Sequence, residues 1–188
     1  MQRTRITPPV PQLAFSMLVP NDFRQLPLPD EAPDFSDPNI MAPLAVFMAG
    51  YGAVLTSVAA RPLTDNGSEG SIMDIAMRLA ASQLATAGGQ VRKLMPTRKW
   101  ATMVIEAEAT QPSDAGEMLF RAIFLEDGGA LFNVAIMAPV AIWGSVEKTL
   151  TEMVDSFSLL APEGPTWPVI QGQPLPPPPQ FSDKGDAR

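Results

Sequence analysis

The stretch FRAIFLEDGGALFNVAIMAPVAIWGSVEKTL, Phe120 to Leu150, constrains the fold more than any other part of the chain. Two apolar segments meet at Asp127-Gly128, a dipeptide suited to a hairpin turn because its residues accept the positive φ such turns demand. Both arms are apolar on both parities. Phe120, Ala122 and Phe124 alternate with Leu119, Ile123 and Leu125, and Phe132, Val134 and Ile136 alternate with Leu131, Ala135 and Met137. Successive side chains point to opposite sides of a strand, so both faces of this hairpin require cover. An antiparallel sheet with helices on one side normally has a polar outer face. The second face here therefore calls for a second helix layer, a proline-rich tail, a second subunit or a ligand.

The neighbouring segments supply the rest of a sheet and two helices. FSMLVP places Phe15, Met17 and Val19 on one side of a strand that Pro20 ends. LAVFMAGYGAVLTSVAA, split by Gly50-Tyr51-Gly52, reads as a hairpin, and ATMVIEAEA as a strand with Met103, Ile105 and Ala107 opposite Glu106 and Glu108. Ser71 to Ala87 is the clearest helix: Ser71 caps it, Asp74 completes a capping box, and Gly88-Gly89 stops it. A last helix runs to about Phe157, with Ile142, Val146, Leu150, Met153 and Val154 at helical spacing and either Val140 or Ser145 as its start.

Proline marks the ends of the domain. Nine of the 21 prolines lie at or before Pro43 and eight from Pro162 onward. The expected organisation is an N-terminal arm over residues 1–12, one α+β domain over 13–161 and a proline-rich tail over 162–188, the tail extended and Trp167 its one docking residue. The chain has 188 residues, 46% of them apolar, which favours a single folded domain.

Composition removes several kinds of chemistry. There is no histidine and no cysteine, so disulfides, thiolate chemistry and histidine-assisted catalysis are excluded. The net charge of -7 repels phosphate backbones, and nucleic acid is not an expected partner. The basic run Arg92, Lys93, Arg98 and Lys99 beside Trp100 reads as a solvated edge or loop. Prolines interrupt the basic N-terminal start, and the apolar runs fall short of the ~18 residues of a membrane span. The expectation is a cytoplasmic protein with no membrane span.

Ser145-Val-Glu-Lys148 matches S-x-x-K, but the accompanying S-D-N and K-T-G elements are missing. Asp30, Glu31, Asp34 and Asp37 lack the glycine and terminal glutamate of a calcium loop. Glu106 and Glu108 share a strand face, where solvent exposure accounts for them. No catalytic residue, metal or cofactor is expected. The eleven methionines are the remaining signal: core filling is the commoner use of the residue, and the other is a surface whose thioethers re-pack around varied apolar partners.

The order strand, hairpin, helix, three antiparallel strands, helix resembles the Mog/PsbP-like superfamily, an α/β/α sandwich around an antiparallel sheet. The features that carry the resemblance are FSMLVP, the Glu-Asp-Gly-Gly hairpin and MAPVAIWGSVEKTLTEMVDSFSL, over about Leu13 to Leu160. PsbP-like and DcrB-like bacterial proteins, the latter including type VI secretion effector chaperones, make up this group. The acidic connection PDEAPDFSDPN is longer than the family pattern. The resemblance implies a non-enzymatic chaperone or adaptor, secretion-associated in some members, that binds an apolar segment of a partner protein. Residue pattern and resemblance together nominate Met17, Met48, Phe120, Phe124, Phe132 and Met137 as the partner-binding residues. A carrier of a small apolar ligand and a homodimer are the alternatives.

Overall fold

The computed structural model describes residues 1–8, 13–28, 40–63, 71–86, 88–100, 102–114, 116–127 and 129–160. The acidic residues Asp30 to Asp37, the Asp127-Gly128 turn at Gly128, and the tail with Trp167 lie wholly or partly outside them. In chain order the elements are β1 (Gln2–Ile6), β2 (Phe15–Val19), β3 (Arg24–Gln25), β4 (Ala42–Ala49), β5 (Val54–Pro62) and α1 (Ile72–Thr86). They continue as β6 (Gln90–Lys99), β7 (Thr102–Ser113), β8 (Gly116–Asp127), β9 (Ala130–Pro139), α2 (Trp143–Asp155) and β10 (Ser158–Leu159). Seven strands form one antiparallel sheet in the order β3-β4-β5-β9-β8-β7-β6, and β1-β2-β10 form a smaller one.

The two-sided hairpin is β8–β9, paired from Met118↔Pro139 to Asp127↔Ala130 near the middle of the large sheet. Its second face is met by a second helix layer. On one face α1 sets Ile75, Ala76, Leu79 and Ala80 against Ala107, Ala109, Ala122 and Ala135, all in one buried cluster. These alanines form a low floor that admits the helix closely. On the other face Phe15, Met17 and Val19 of β2, with Leu150, Met153 and Val154 of α2, bury Val58, Phe132, Val134 and Ile136.

Local chemistry fixes the helix ends. The Ser71 and Asp74 side chains exchange the reciprocal bonds of a capping box, Asp74 N–H to Ser71 Oγ and Ser71 N–H to Asp74 Oδ2, both 3.2 Å. The last helix begins at neither expected start. A 3-10 turn at Val140–Ile142 leads into α2 at Trp143, and Ser145 donates its hydroxyl back to the Ile142 carbonyl at 2.7 Å instead of capping. At the other end Ser156 Oγ donates to Met153 O and accepts from Leu18 N–H, both at 2.7 Å, which ties α2 to β2.

One strand lies where the sequence had pointed elsewhere, and another takes one of the two forms it left open. Gln2–Ile6, expected as an arm, pairs along β2 from Gln2↔Val19 to Ile6↔Phe15. The basic run is an edge strand, β6, paired with β7 through a bulge between Val91 and Lys93. Proline has no N–H for a ladder bond, so exposed Pro96 interrupts the outer side of that edge. Near the opposite edge, β4 carries exposed Pro43 and a bulge between Pro43 and Ala45. Proline, bulge and charge are the devices that deter further strand pairing, and both margins of the sheet have two or more of them.

Candidate functional site

Helix α1 packs chiefly on β6, β7 and β8. Seven strands at about 4.8 Å spacing span roughly 29 Å, whereas a helix with side chains is about 10–12 Å across. Among the described residues, a single helix therefore leaves part of this face thinly covered, over β4, β5 and the Met137 end of β9. Register shows what lies there. Met48 opposes Leu55, Leu55 opposes Met137, and Met137 opposes Phe120. Opposed residues in an antiparallel ladder point to the same side, so these four form one row across four strands. All four are half-buried. Ala109, opposite Phe120, carries the row under α1. The next row is Val46, Ser57 and Ala135, small enough to leave the first row standing proud of it.

The six residues nominated from sequence separate into two groups. Met48, Phe120 and Met137 share the row just described. Phe124 is on the same face but 1% exposed in the cluster beneath α1, and Met17 and Phe132 are fully buried in the core between the two sheets and α2. These three are core residues in the folded chain and offer no surface to a partner. Leu55, central to the row, went unnoticed because no local pattern distinguishes it from other strand leucines; only register brings it between two methionines. Gln111 donates an amide N–H to Met137 Sδ at 3.5 Å.

The opposite face carries a polar site. A cleft of about 310 Å³ between α2 and β6–β9 has Ile123, Val134, Ile136 and Val154 among its lining residues, with Lys93, Lys99, Glu106, Glu108, Arg121 and Asp155 around them. The charges pair with one another. Lys93 bonds Glu106, Lys99 Nζ lies 2.5 Å from Asp155, and Arg121 donates from Nε to Glu108 at 2.5 Å and from Nη1 to Glu147 at 2.6 Å. The Arg121 guanidinium also stacks over Trp143, 4.8 Å from its ring.

Desolvation pulls the Arg121 pKa down, but the hydrogen bonds and charges of Glu147 and Glu108 outweigh it and hold it above its usual value. Arg121 is the main cause that holds the Glu147 carboxyl below its usual value. The indole N–H of Trp143, buried and with no partner at hydrogen-bond geometry among the described residues, adds a weaker pull. Glu106 and Glu108 are thus each neutralised by a cation, an arrangement of ion pairs rather than a carboxylate pair poised for proton transfer. Ser145 and Lys148 are both exposed, and the Ser145 hydroxyl is engaged with the backbone. Among the described residues no acidic cluster could hold a metal ion, and no helix is long and apolar enough to cross a membrane.

The architecture is that of an α+β protein with an antiparallel sheet between helical layers. Its fold is the Mog/PsbP-like fold, as three solved structures demonstrate. Cyanobacterial PsbP (CyanoP) from Synechocystis sp. PCC 6803 superimposes with a TM-score of 0.60 at 13% identity, covering 84% of this chain and 92% of that one. LpqN of Mycobacterium tuberculosis, involved in cell envelope biogenesis, gives 0.56 at 12% identity over 85% and 91% of the two chains. The Ran-binding protein Mog1p of Saccharomyces cerevisiae gives 0.52 at 12% identity over 85% and 96%. No family model matches the sequence, and no curated protein matches it.

Proposed function

We propose that this chain is a non-catalytic protein-interaction module, a chaperone or adaptor that holds an apolar segment of a partner protein on the open half of the α1 face. The carrying observation is the cross-strand row Met48, Leu55, Met137 and Phe120, half-buried and continuous across β4, β5, β9 and β8. Both margins of the sheet deter strand addition, which favours a partner lying on the face over one that extends the sheet. The Ran-binding Mog1p offers a precedent for protein partners on this scaffold. Methionine suits such work because its unbranched thioether adapts to different apolar surfaces.

The test uses the full chain and a dansyl-labelled leucine–alanine peptide flanked by lysines, titrated at moderate salt. Leu55→Asp places a carboxylate in the middle of the row, and burying it beneath the peptide carries a desolvation cost of at least about 1.4 kcal/mol, equivalent to roughly tenfold in affinity. The expected result is at least that loss, with an unchanged circular dichroism spectrum. Wild-type affinity in a folded Leu55→Asp protein would overturn the proposal.

A further inference from the structure

We propose that Met48 and Met137 are oxidation sites, at which a peroxide converts the two thioethers of the row to sulfoxides and so releases the apolar segment held there. The inference rests on the docking function proposed above and concerns its regulation.

The chain has eleven methionines and no cysteine, so thioethers are its only oxidisable sulfur. The fold sorts them by access. Met17 and Met153 are fully buried and Met118 is 6% exposed, Met1, Met95 and Met103 are exposed, and Met41, Met73 and Met77 are half-buried like Met48 and Met137; what sets the last two apart is that they flank Leu55 in one row. Each of the two sulfurs has its own setting. Gly52 packs against Met48, and a Cβ at that glycine would come within 3.2 Å of the sulfur, so the close approach of the turn fixes where this thioether lies at the end of the row. Gln111 already aims an amide donor at the sulfur of Met137.

In the reaction the thioether sulfur attacks one oxygen of the peroxide. The O–O bond breaks, an S–O bond forms, and the second oxygen leaves as water for hydrogen peroxide; sulfur loses two electrons and the peroxide gains them. The product oxygen is a much stronger hydrogen-bond acceptor than sulfur. At Met137 the Gln111 amide is placed to hold it, which stabilises the sulfoxide at the surface and leaves the core methionines untouched. Covering the row with an apolar segment then takes the Met48 sulfoxide oxygen from water without a partner and leaves that of Met137 with the Gln111 amide alone, and the docked state weakens while the fold persists.

The experiment treats the full chain with dilute hydrogen peroxide, maps the added oxygen by peptide mass spectrometry and measures the dansyl-labelled leucine–alanine peptide before and after. The wild type is expected to gain oxygen at Met48 and Met137, to spare Met17 and Met153, and to lose at least tenfold in affinity, with recovery after methionine sulfoxide reductase. The exposed Met1, Met95 and Met103 and the half-buried Met41, Met73 and Met77 oxidise as well, so a Met41→Leu/Met73→Leu/Met77→Leu/Met95→Leu/Met103→Leu chain must show the same loss. In a Met48→Leu/Met137→Leu chain the ratio of treated to untreated affinity is expected to be near one, whatever the starting affinity. An undiminished loss in that chain, or Met48 and Met137 left unoxidised when Met95 and Met103 have fully reacted, would overturn the inference. Peptide binding that survives Leu55→Asp removes the docking function itself; binding abolished by Leu55→Asp yet indifferent to peroxide removes only the oxidation site.

Discussion

Replacing Phe157 tests how the two sheets are joined. This ring, 7% exposed just beyond α2, meets Phe15 of β2 at 5.3 Å, Phe132 of β9 at 5.9 Å and Trp100 of the β6–β7 turn at 6.3 Å between centroids, all tilted. Trp100 reaches it from a left-handed backbone, φ 51°. One side chain thus contacts both sheets and the turn at the far edge. Truncating a buried phenylalanine to alanine costs about 3–5 kcal/mol in lost transfer energy and cavity formation, with the ring contacts included in that range. For a chain of this size each kcal/mol lowers Tm by about 2–4 °C, so Phe157→Ala is expected to melt about 6–20 °C below wild type. Phe157→Leu keeps most of the volume and should lose less than about 6 °C, on a cost below about 1.5 kcal/mol. Reversible thermal melts followed by circular dichroism and tryptophan fluorescence provide the measurement. An alanine variant that melts within about 3 °C of wild type would refute the claim that Phe157 joins the two layers.

Pro96→Val restores an outward N–H on the edge strand; two copies pairing edge to edge would gain two hydrogen bonds at about 1 kcal/mol each, or roughly 30-fold tighter self-association. Sedimentation equilibrium reads this directly, and an unchanged association constant would contradict the guarding role of Pro96. Glu147→Gln probes the Arg121 network: the carboxyl is held below its usual value in the folded chain, so its contribution is present above the unfolded pKa and lost as pH falls through the folded one. The urea midpoints of wild type and Glu147→Gln should therefore differ at neutral pH, by a small amount as befits an exposed pair, and converge in acid; a difference that grows in acid would reverse the assignment.

Much of the fold was legible because the signals were local. Apolar residues on both parities of β8–β9 demanded cover on two faces, and α1 on one side with α2 and β2 on the other supply it. Ser71 and Asp74 announced the start of α1. The failures are equally physical. QVRKLMPTRK shows no alternation and contains a proline, features that make an edge strand safe and that leave the sequence open between an edge and a loop. QRTRI of β1 is largely polar and gains its place from backbone pairing with β2, to which its side chains give little clue.

The candidate surface was legible only in part, because sequence gives the parity of a residue within its own strand but not the register between strands. Met17, Phe124 and Phe132 have the same apolar character as Met48, Phe120 and Met137. What separates them is the layer above each. Phe124 shares a face with Phe120 yet lies under α1, Phe132 is one residue from the α1 face and so points into the core, and Met17 is buried from the opposite side. The same geometry brings in Leu55, which carries no signal of its own until it is paired with Met48 and Met137. A helix about 10–12 Å across cannot cover a sheet of roughly 29 Å, so among the described residues one α1 on seven strands leaves a margin. The sequence fills that margin with thioethers, leucine and phenylalanine where charged residues would have closed the surface to partners. With the edges of the sheet guarded and the charges of the other face paired among themselves, the half of the α1 face left thinly covered among the described residues is the surface on which the proposed docking rests.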